Sequence, residues 1–452
     1  MFNTDSPIET KDKDVLNRGT FVHQLTETII NQPTKDSFIV GLYGSWGSGK
    51  TSILNLLEES INRILPPDSN PFIKVIRFDP WGYVDSTQLI NQFFALLATE
   101  LKHDEKDKQQ IKVGEALEKY AFSLEFTKSI PAVGSIVGLI PGLTKMIGKS
   151  LKERAKSRDS SITHQKNNVI TELEKRKCRY VIFIDDIDRL PNEQIRMIFQ
   201  LVKAIADFPY ITYLLAFDKP VVVRALQRVQ DCNGDEYLEK IIQVPFSIPN
   251  VPISKIQLIL EERLNSVLSI SDDLFDESLW YRIEEKCISP YIKNLRDINR
   301  YLNVLEFKYS PLRKNINPVD FAGITALEVF ASPVYEWIKI NKEILTHSGV
   351  AFSGTTAQNQ ARSKDLWLER IKPLDSTTTS STLEMITTLF PKIAFETDYP
   401  YDSVSEEELG RKLRIGSAAR FEVYFTLQFD NDLVTYTQVQ ASLFTLDKDS
   451  LI

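Results

Sequence analysis

The chain has 452 residues, 42% of them hydrophobic and 25% charged, an ordinary soluble composition that can bury a sizeable core in about two or three domains. A formal net charge of -7 argues against a globally basic nucleic-acid binder, so nucleic acid is not indicated, although a local basic stripe within the acidic average stays open. Cys178, Cys232 and Cys287 are odd in number, far apart and without a CxxC pair, which excludes a disulfide framework or zinc site and favours a reducing, cytoplasmic setting.

The segment Met1 to Asp14 is polar, lacks the basic and apolar regions of a secretory signal, and predicts no export. An amphipathic helix is expected around Phe21 to Ile30, followed by a turn at Pro33. Ser37 to Leu42 is apolar on consecutive residues, as a strand covered on both faces should be, and it runs into a glycine-rich loop. Thr51 to Ile64 has helical spacing and stops at Pro66 and Pro67; a second strand spans Phe72 to Phe78 and ends at Asp79. Ile130 to Ile147 is nearly charge-free, but its length, Pro131 and Pro141 make it a poor membrane span. It reads as a packed insert, with contact to a membrane surface through its basic flank left open.

Three more strands are expected at Tyr180 to Ile184, Tyr210 to Phe217 and Ile241 to Ile248, with helices between them. This alternation predicts a three-layer α/β/α sandwich on a parallel sheet over residues 1–250, with an insert at about 100–165. Residues 251–345 read as a helical lid, and 346–452 as a smaller α+β region with a Ser/Thr-rich loop and a strand at Phe421 to Phe429.

The loop Gly44-Ser45-Trp46-Gly47-Ser48-Gly49-Lys50-Thr51 has the GxxxxGK[ST] pattern between a buried strand and an amphipathic helix. Its glycines let the backbone N–H groups turn toward phosphate oxygens, and the following helix adds its positive end. Lys50 would neutralise the β and γ phosphates of ATP or GTP, Thr51 would offer its hydroxyl to magnesium, and Ser52 would reach the α phosphate. Asp185 follows a buried strand, where ligands bind in open parallel sheets, and is placed to hold magnesium. Asp186 is placed to orient or deprotonate the attacking water, although the division of work between the two acids stays open.

Asp79 and Asp218, at two other strand ends, could sense the γ phosphate or simply cap the next helix. Arg296, near the start of a lid helix, is a candidate for the γ phosphate, balanced against an exposed surface arginine; Arg300 reads as surface, and Arg189 as either a site residue or a partner of Asp186 or Asp188. His23, His103, His164 and His347 show no ligand spacing.

With these residues in view, the chain resembles the KAP family of P-loop NTPases. The likeness runs from Asp5-Ser6-Pro7-Ile8 and Leu16-Asn17-Arg18 through GLYGSWGSGKTS at Gly41 to Ser52, FDPWGY at Phe78 to Tyr83, IDDIDRL at Ile184 to Leu190, LLAFD at Leu214 to Asp218, YLEKIIQVPFSIP at Tyr237 to Pro249 and NLRDINRYLN at Asn294 to Asn303, with a weaker echo at Arg414 to Leu427. The resemblance implies a magnesium-dependent ATP hydrolase of the additional-strand class, driving or switching a protein partner or effector, and it points to bacterial antiphage defence. It also leaves room for a nucleotide-gated, membrane-associated scaffold at the inner face of the membrane, and for a homo-oligomer. Asp79-Pro80 stands where the family often shows Asn-Ala, and the insert is too short for the paired membrane helices of some relatives.

Overall fold

The computed structural model describes residues 6–426, apart from 33, 66–72, 84–85, 103–107, 126–148, 177, 231–232, 269–273, 347–368, 370, 374–377 and 395–404. The apolar insert Ile130 to Ile147, His103, His347 and most of the Ser/Thr-rich stretch therefore lie outside the described residues. Among the described residues no helix is long and apolar enough to cross a membrane. The chain divides into two compact units, Ser6–Asn250 and, with the first five residues, Val251–Ile452.

The first unit is built on five strands: β1 (Phe38–Tyr43), β2 (Ile73–Phe78), β3 (Arg179–Ile184), β4 (Ile211–Phe217) and β5 (Val244–Ser247). They lie in the order β2-β3-β4-β1-β5, and every pairing is parallel. Parallel neighbours need crossover connections, and the helices that make them cover both faces of the sheet. One face takes α1 (Gly19–Ile30) and α2 (Lys50–Ile64); the other takes α3 (Ser86–Lys102), α4 (Lys108–Glu125), α5 (Lys149–Arg176), α6 (Asn192–Gln200), α7 (Lys219–Gln230) and α8 (Gly234–Glu239).

Strand alternation divides the core accordingly. Tyr180, Ile182 and Ile184 of β3 join Tyr213, Leu215 and Phe217 of β4 on the α3–α6 face, whereas Val181, Phe183, Leu214 and Ala216 meet α1 and α2. The first face holds an aromatic cluster in which Phe93 meets Phe78 and Phe94 edge-on, at centroid distances of 5.2 and 5.3 Å. Each such buried ring contributes about 1.5–3 kcal/mol of transfer free energy. Helix α6 passes into a π-helical stretch, Leu201–Ile205, whose end is held by the hydroxyls of Tyr120 and Tyr213 donating to the carbonyls of Ile205 and Ala206.

The second unit is helical where described: α9 (Ile253–Leu268), α10 (Glu277–Tyr281), a π-helical stretch at Arg282–Ile288, α11 (Leu295–Leu312), α12 (Pro318–Phe330) and α13 (Ser332–Ile340). It is tied together by Asp320, whose buried carboxylate accepts from Arg414 Nε at 2.7 Å and from the Ile415 amide at 2.8 Å. The strand expected from Phe421 is instead a 3-10 turn, Phe421–Phe425. A strand would turn Phe421 and Tyr424 to opposite faces. The turn buries both, and lets the Tyr424 hydroxyl accept from the Asn317 amide and donate to the Leu413 carbonyl.

Candidate functional site

The site lies at the C-terminal ends of β1, β3 and β4. After Tyr43, the Gly44 amide donates to the Phe217 carbonyl at 3.1 Å, which anchors the loop to β4, and a turn closes with the Ser48 amide on the Ser45 carbonyl. Gly47 and Gly49 take φ of 79° and 85°, a region that opposes any side chain, and Gly49 leads directly into α2 at Lys50. A Cβ on Gly44 would lie 2.3 Å from Ser48 Oγ, so glycine is needed there for space rather than for φ. The Ser48 hydroxyl is itself buried and without a hydrogen-bond partner among the described residues. Trp46 stands out from the loop, 71% exposed.

Lys50 folds back over the loop: its ammonium donates to the Gly44 carbonyl at 3.0 Å and lies 3.6 Å from Asp188 Oδ2. Both side chains are nearly buried, at 9% and 13% exposure. The second oxygen of Asp188 is buried with no partner among the described residues. Buried polar atoms are normally satisfied, so these two orphans, beside the glycine loop, mark a place for a polar ligand.

The acids gather on the other side. Thr51 Oγ1 donates to Asp185 Oδ2 at 2.5 Å, and Asp185 Oδ1 accepts from the Asp186 amide at 2.8 Å. Asp186 adopts a left-handed φ of 56°, which for a residue with a side chain costs roughly 1–2 kcal/mol. That conformation swings its carboxylate away from Asp185 and onto Arg189 Nε, 2.9 Å away. Arg189 in turn stacks over Trp81, 5.4 Å from the ring centre, and the Trp81 amide donates to Asp79 Oδ1. Burial pushes the Asp186 carboxyl above its ordinary proton affinity, and the charge of Asp185 adds to it, against the pull of Arg189.

A magnesium ion takes oxygen ligands and usually keeps phosphate and water among them. The hydroxyl of Thr51 and the carboxylate of Asp185 fit that demand, being hard donors already within one hydrogen bond of each other.

The other expectations divide. Asp79 serves as the cap of the short turn Pro80–Gly82. Asp218 closes β4 between β1 and β3, and its carbonyl accepts from the Val222 amide at the start of α7 (Lys219–Gln230). The Ser52 hydroxyl accepts from the Ile8 amide at 3.3 Å and keeps its own proton to donate. Arg300 packs its guanidinium 6.0 Å from the Phe330 ring centre, the surface role expected of it. Arg296 stands in the first turn of α11, in the second compact unit. His23 is an exposed surface residue beside Glu27.

The parallel order β2-β3-β4-β1-β5 puts one strand between the phosphate loop of β1 and the acids of β3, the arrangement of a P-loop NTPase of the additional-strand class. The family model described as "KAP family P-loop domain" matches residues 18–311, and the chain belongs to that family. It is 25% identical over 370 residues to the "Phage T7 exclusion protein" of Escherichia coli (strain K12), a match covering 77% of this chain and 49% of that protein. The chain thus spans about half the length of this relative. Among solved structures it is similar to the Orc1 protein of Aeropyrum pernix in complex with DNA, with a TM-score of 0.36, 13% identity and coverage of 91% of this chain and 86% of that one. It is likewise similar to Cdc6p from Pyrobaculum aerophilum, with a TM-score of 0.38, 13% identity and coverage of 92% and 94%. Likeness at this level concerns the fold alone.

Proposed function

We propose that this chain binds ATP with magnesium and hydrolyses it, and that the cycle switches a protein partner or effector in bacterial antiphage defence. The observation that carries the catalytic part is the 2.5 Å hydrogen bond between Thr51 and Asp185, which joins the phosphate loop to the acid at the end of β3. The loop amides other than those of Gly44 and Ser48, which are spent on backbone carbonyls, would hold the phosphates, and Lys50 would leave Asp188 for the β and γ oxygens. Magnesium, held by Thr51 and Asp185, would neutralise charge developing on the transferred phosphoryl group. Asp186 would orient the attacking water and accept its proton, a task for which a carboxyl of raised proton affinity is suited. Arg296, brought by a helical lid within Val251–Ile452, would meet the γ phosphate. The effector role draws its support from the family and from the phage-exclusion relative.

The test is calorimetric titration of the purified chain with ATP and magnesium, beside Lys50→Ala. Binding in the parent and none in the variant is expected, and equal binding in both would overturn the assignment of the loop. One observation favours a second reading, a nucleotide-gated switch with little turnover. Lys50 and Asp186 both rest on ion pairs, with Asp188 and Arg189, that must open before catalysis. Steady-state phosphate release separates the two: turnover supports the hydrolase, whereas tight binding without release supports the gate.

A further inference from the structure

Residues 6–18 form a strap along the start of α2. The Ile8 amide donates to Ser52 Oγ, Asn55 Nδ2 donates to the Ile8 carbonyl at 2.8 Å, and the Lys11 amide donates to Glu59 Oε2 at 3.0 Å. The strap then turns on Asp14, whose two carboxylate oxygens accept from the amides of Leu16 at 3.1 Å and Arg18 at 2.5 Å. Asn17 takes a φ of 57°, which asparagine tolerates better than most residues. The result of the turn is the placement of one side chain. Arg18 Nη1 comes to 2.3 Å from the point where a Cβ would stand on Gly49, so the guanidinium rests against the phosphate loop where it enters α2.

Arg18 is 8% exposed, its Nε is fully buried, and its guanidinium has no hydrogen-bond or ion-pair partner among the described residues. A buried arginine that serves structure is ordinarily matched by a carboxylate or by carbonyls, because an unmatched buried charge is strongly unfavourable. Asp14, the nearest acid, spends both oxygens on backbone amides. Asp14 lends the guanidinium a favourable charge without a hydrogen bond, which leaves its donors open to an anion that arrives from outside. The planar guanidinium fork suits phosphate oxygens, and the loop it touches is built from amides for the same chemistry.

We infer that Arg18 is a nucleotide ligand whose guanidinium takes phosphate oxygens of the nucleotide beside Gly49, so that occupancy of the loop fastens the 6–18 strap onto α2. This rests on the nucleotide-binding reading above and adds to it a residue from outside the loop and the acid cluster.

The full chain is compared with Arg18→Met and Arg18→Lys by thermal unfolding without ligand and by titration with magnesium-ATP, ADP and sodium phosphate. Arg18→Met removes a buried charge that has no partner, so its ligand-free melting temperature should equal or exceed that of the parent. Its affinity for ATP and ADP should fall about 10- to 100-fold, the weight of a hydrogen bond to a charged group. Arg18→Lys, which keeps the charge but not the fork, should fall between, and it decides the matter by the same readout if the methionine variant does not fold. Unchanged ADP affinity in both variants would overturn the inference while leaving the nucleotide reading intact. So would a loss confined to free phosphate, or a fall in ligand-free melting temperature with ADP affinity unchanged. A parent chain that binds neither ATP nor ADP would instead overturn the nucleotide reading itself.

Discussion

Replacing Asp186 by asparagine should stop turnover and at the same time make the protein more stable. The carboxylate is 22% exposed and sits close to Asp185, Asp79 and Asp188, with one favourable partner, Arg189. That ion pair lies at the rim of the site, where such pairs are worth about 0.2–1 kcal/mol. Burial and the neighbouring acids outweigh it, because the net effect on the carboxyl is a raised proton affinity. At neutral pH the ionised form is thus held at a disadvantage. Asparagine keeps the shape, tolerates the left-handed backbone at 56° and drops the charge. The melting temperature should therefore rise, each 1 kcal/mol gained being worth roughly 2–4 °C in a domain this size. Phosphate release should fall about 100- to 10,000-fold, the usual worth of a positioned base. Differential scanning fluorimetry of the ligand-free proteins reads the first effect and steady-state phosphate release the second. A variant that melts below the parent would refute the electrostatic account, and one that hydrolyses at the parent rate would remove Asp186 from the reaction.

Gly49→Ala should destabilise the ligand-free protein by roughly 1–2 kcal/mol from its φ of 85° alone, and should abolish ADP binding by moving the loop. Because the new Cβ would also press on Arg18, adding Arg18→Met should recover part of the stability but none of the binding, and strict additivity in unfolding experiments would show that the two side chains do not meet. In the second unit, Asp276 caps α10 through the Leu279 amide at 3.1 Å and also accepts from Ser278 Oγ at 2.8 Å. Burial pushes its carboxyl up, but these bonds hold it below the ordinary 3.8, so its stabilisation is present above that pH and is lost as pH falls through the lowered value. Asp276→Ala should therefore cost about 1 kcal/mol at neutral pH. The variant's stability curve should begin to converge on that of the parent below pH 3.8 and merge with it only below the lowered value, and a gap that persists in stronger acid would contradict the cap. Arg296→Ala should keep its ATP affinity and lose about 1,000-fold in turnover. Unaltered turnover would make Arg296 a surface residue.

The phosphate loop and the acids were legible in the sequence because both sit where a buried apolar strand ends, and the strand–loop–helix pattern is local. Asp185 could be placed from YVIFI alone. What made Asp79 ambiguous is that a strand-end acid has the same sequence context whether it caps a turn or faces a ligand; only the 3.0 Å bond to the Trp81 amide decides for the cap. The aromatic run at Phe421 satisfied strand propensity, but the tertiary demand to bury Phe421 and Tyr424 on one side prevailed. The contacts of Arg18 with the loop and of Ser52 with Ile8 were out of reach for another reason: they join a polar lead-in to a helix more than thirty residues away, with no periodic signal between. The family resemblance ran through Asp5 to Ile8 and Leu16-Asn17-Arg18, but it assigned that arginine no task. Asp186 and Asp188 were both open as partners for Arg189; Arg189 pairs with Asp186, and Asp188 faces Lys50.

Trp46 turns the phosphate loop into its own optical probe. The indole stands 71% exposed on the loop itself, while Trp280 is buried in the other unit. Filling the loop alters what surrounds that ring, so intrinsic emission should follow nucleotide loading in the unlabelled chain, with Trp46→Phe removing the loop's own share of the signal. The second exposed indole, Trp81, lies under Arg189 and so reports on the acid side rather than on the loop. Rapid mixing with Trp46→Phe and Trp81→Phe, each keeping one of the two reporters, would separate arrival of the nucleotide from release of Asp186 by Arg189 in time.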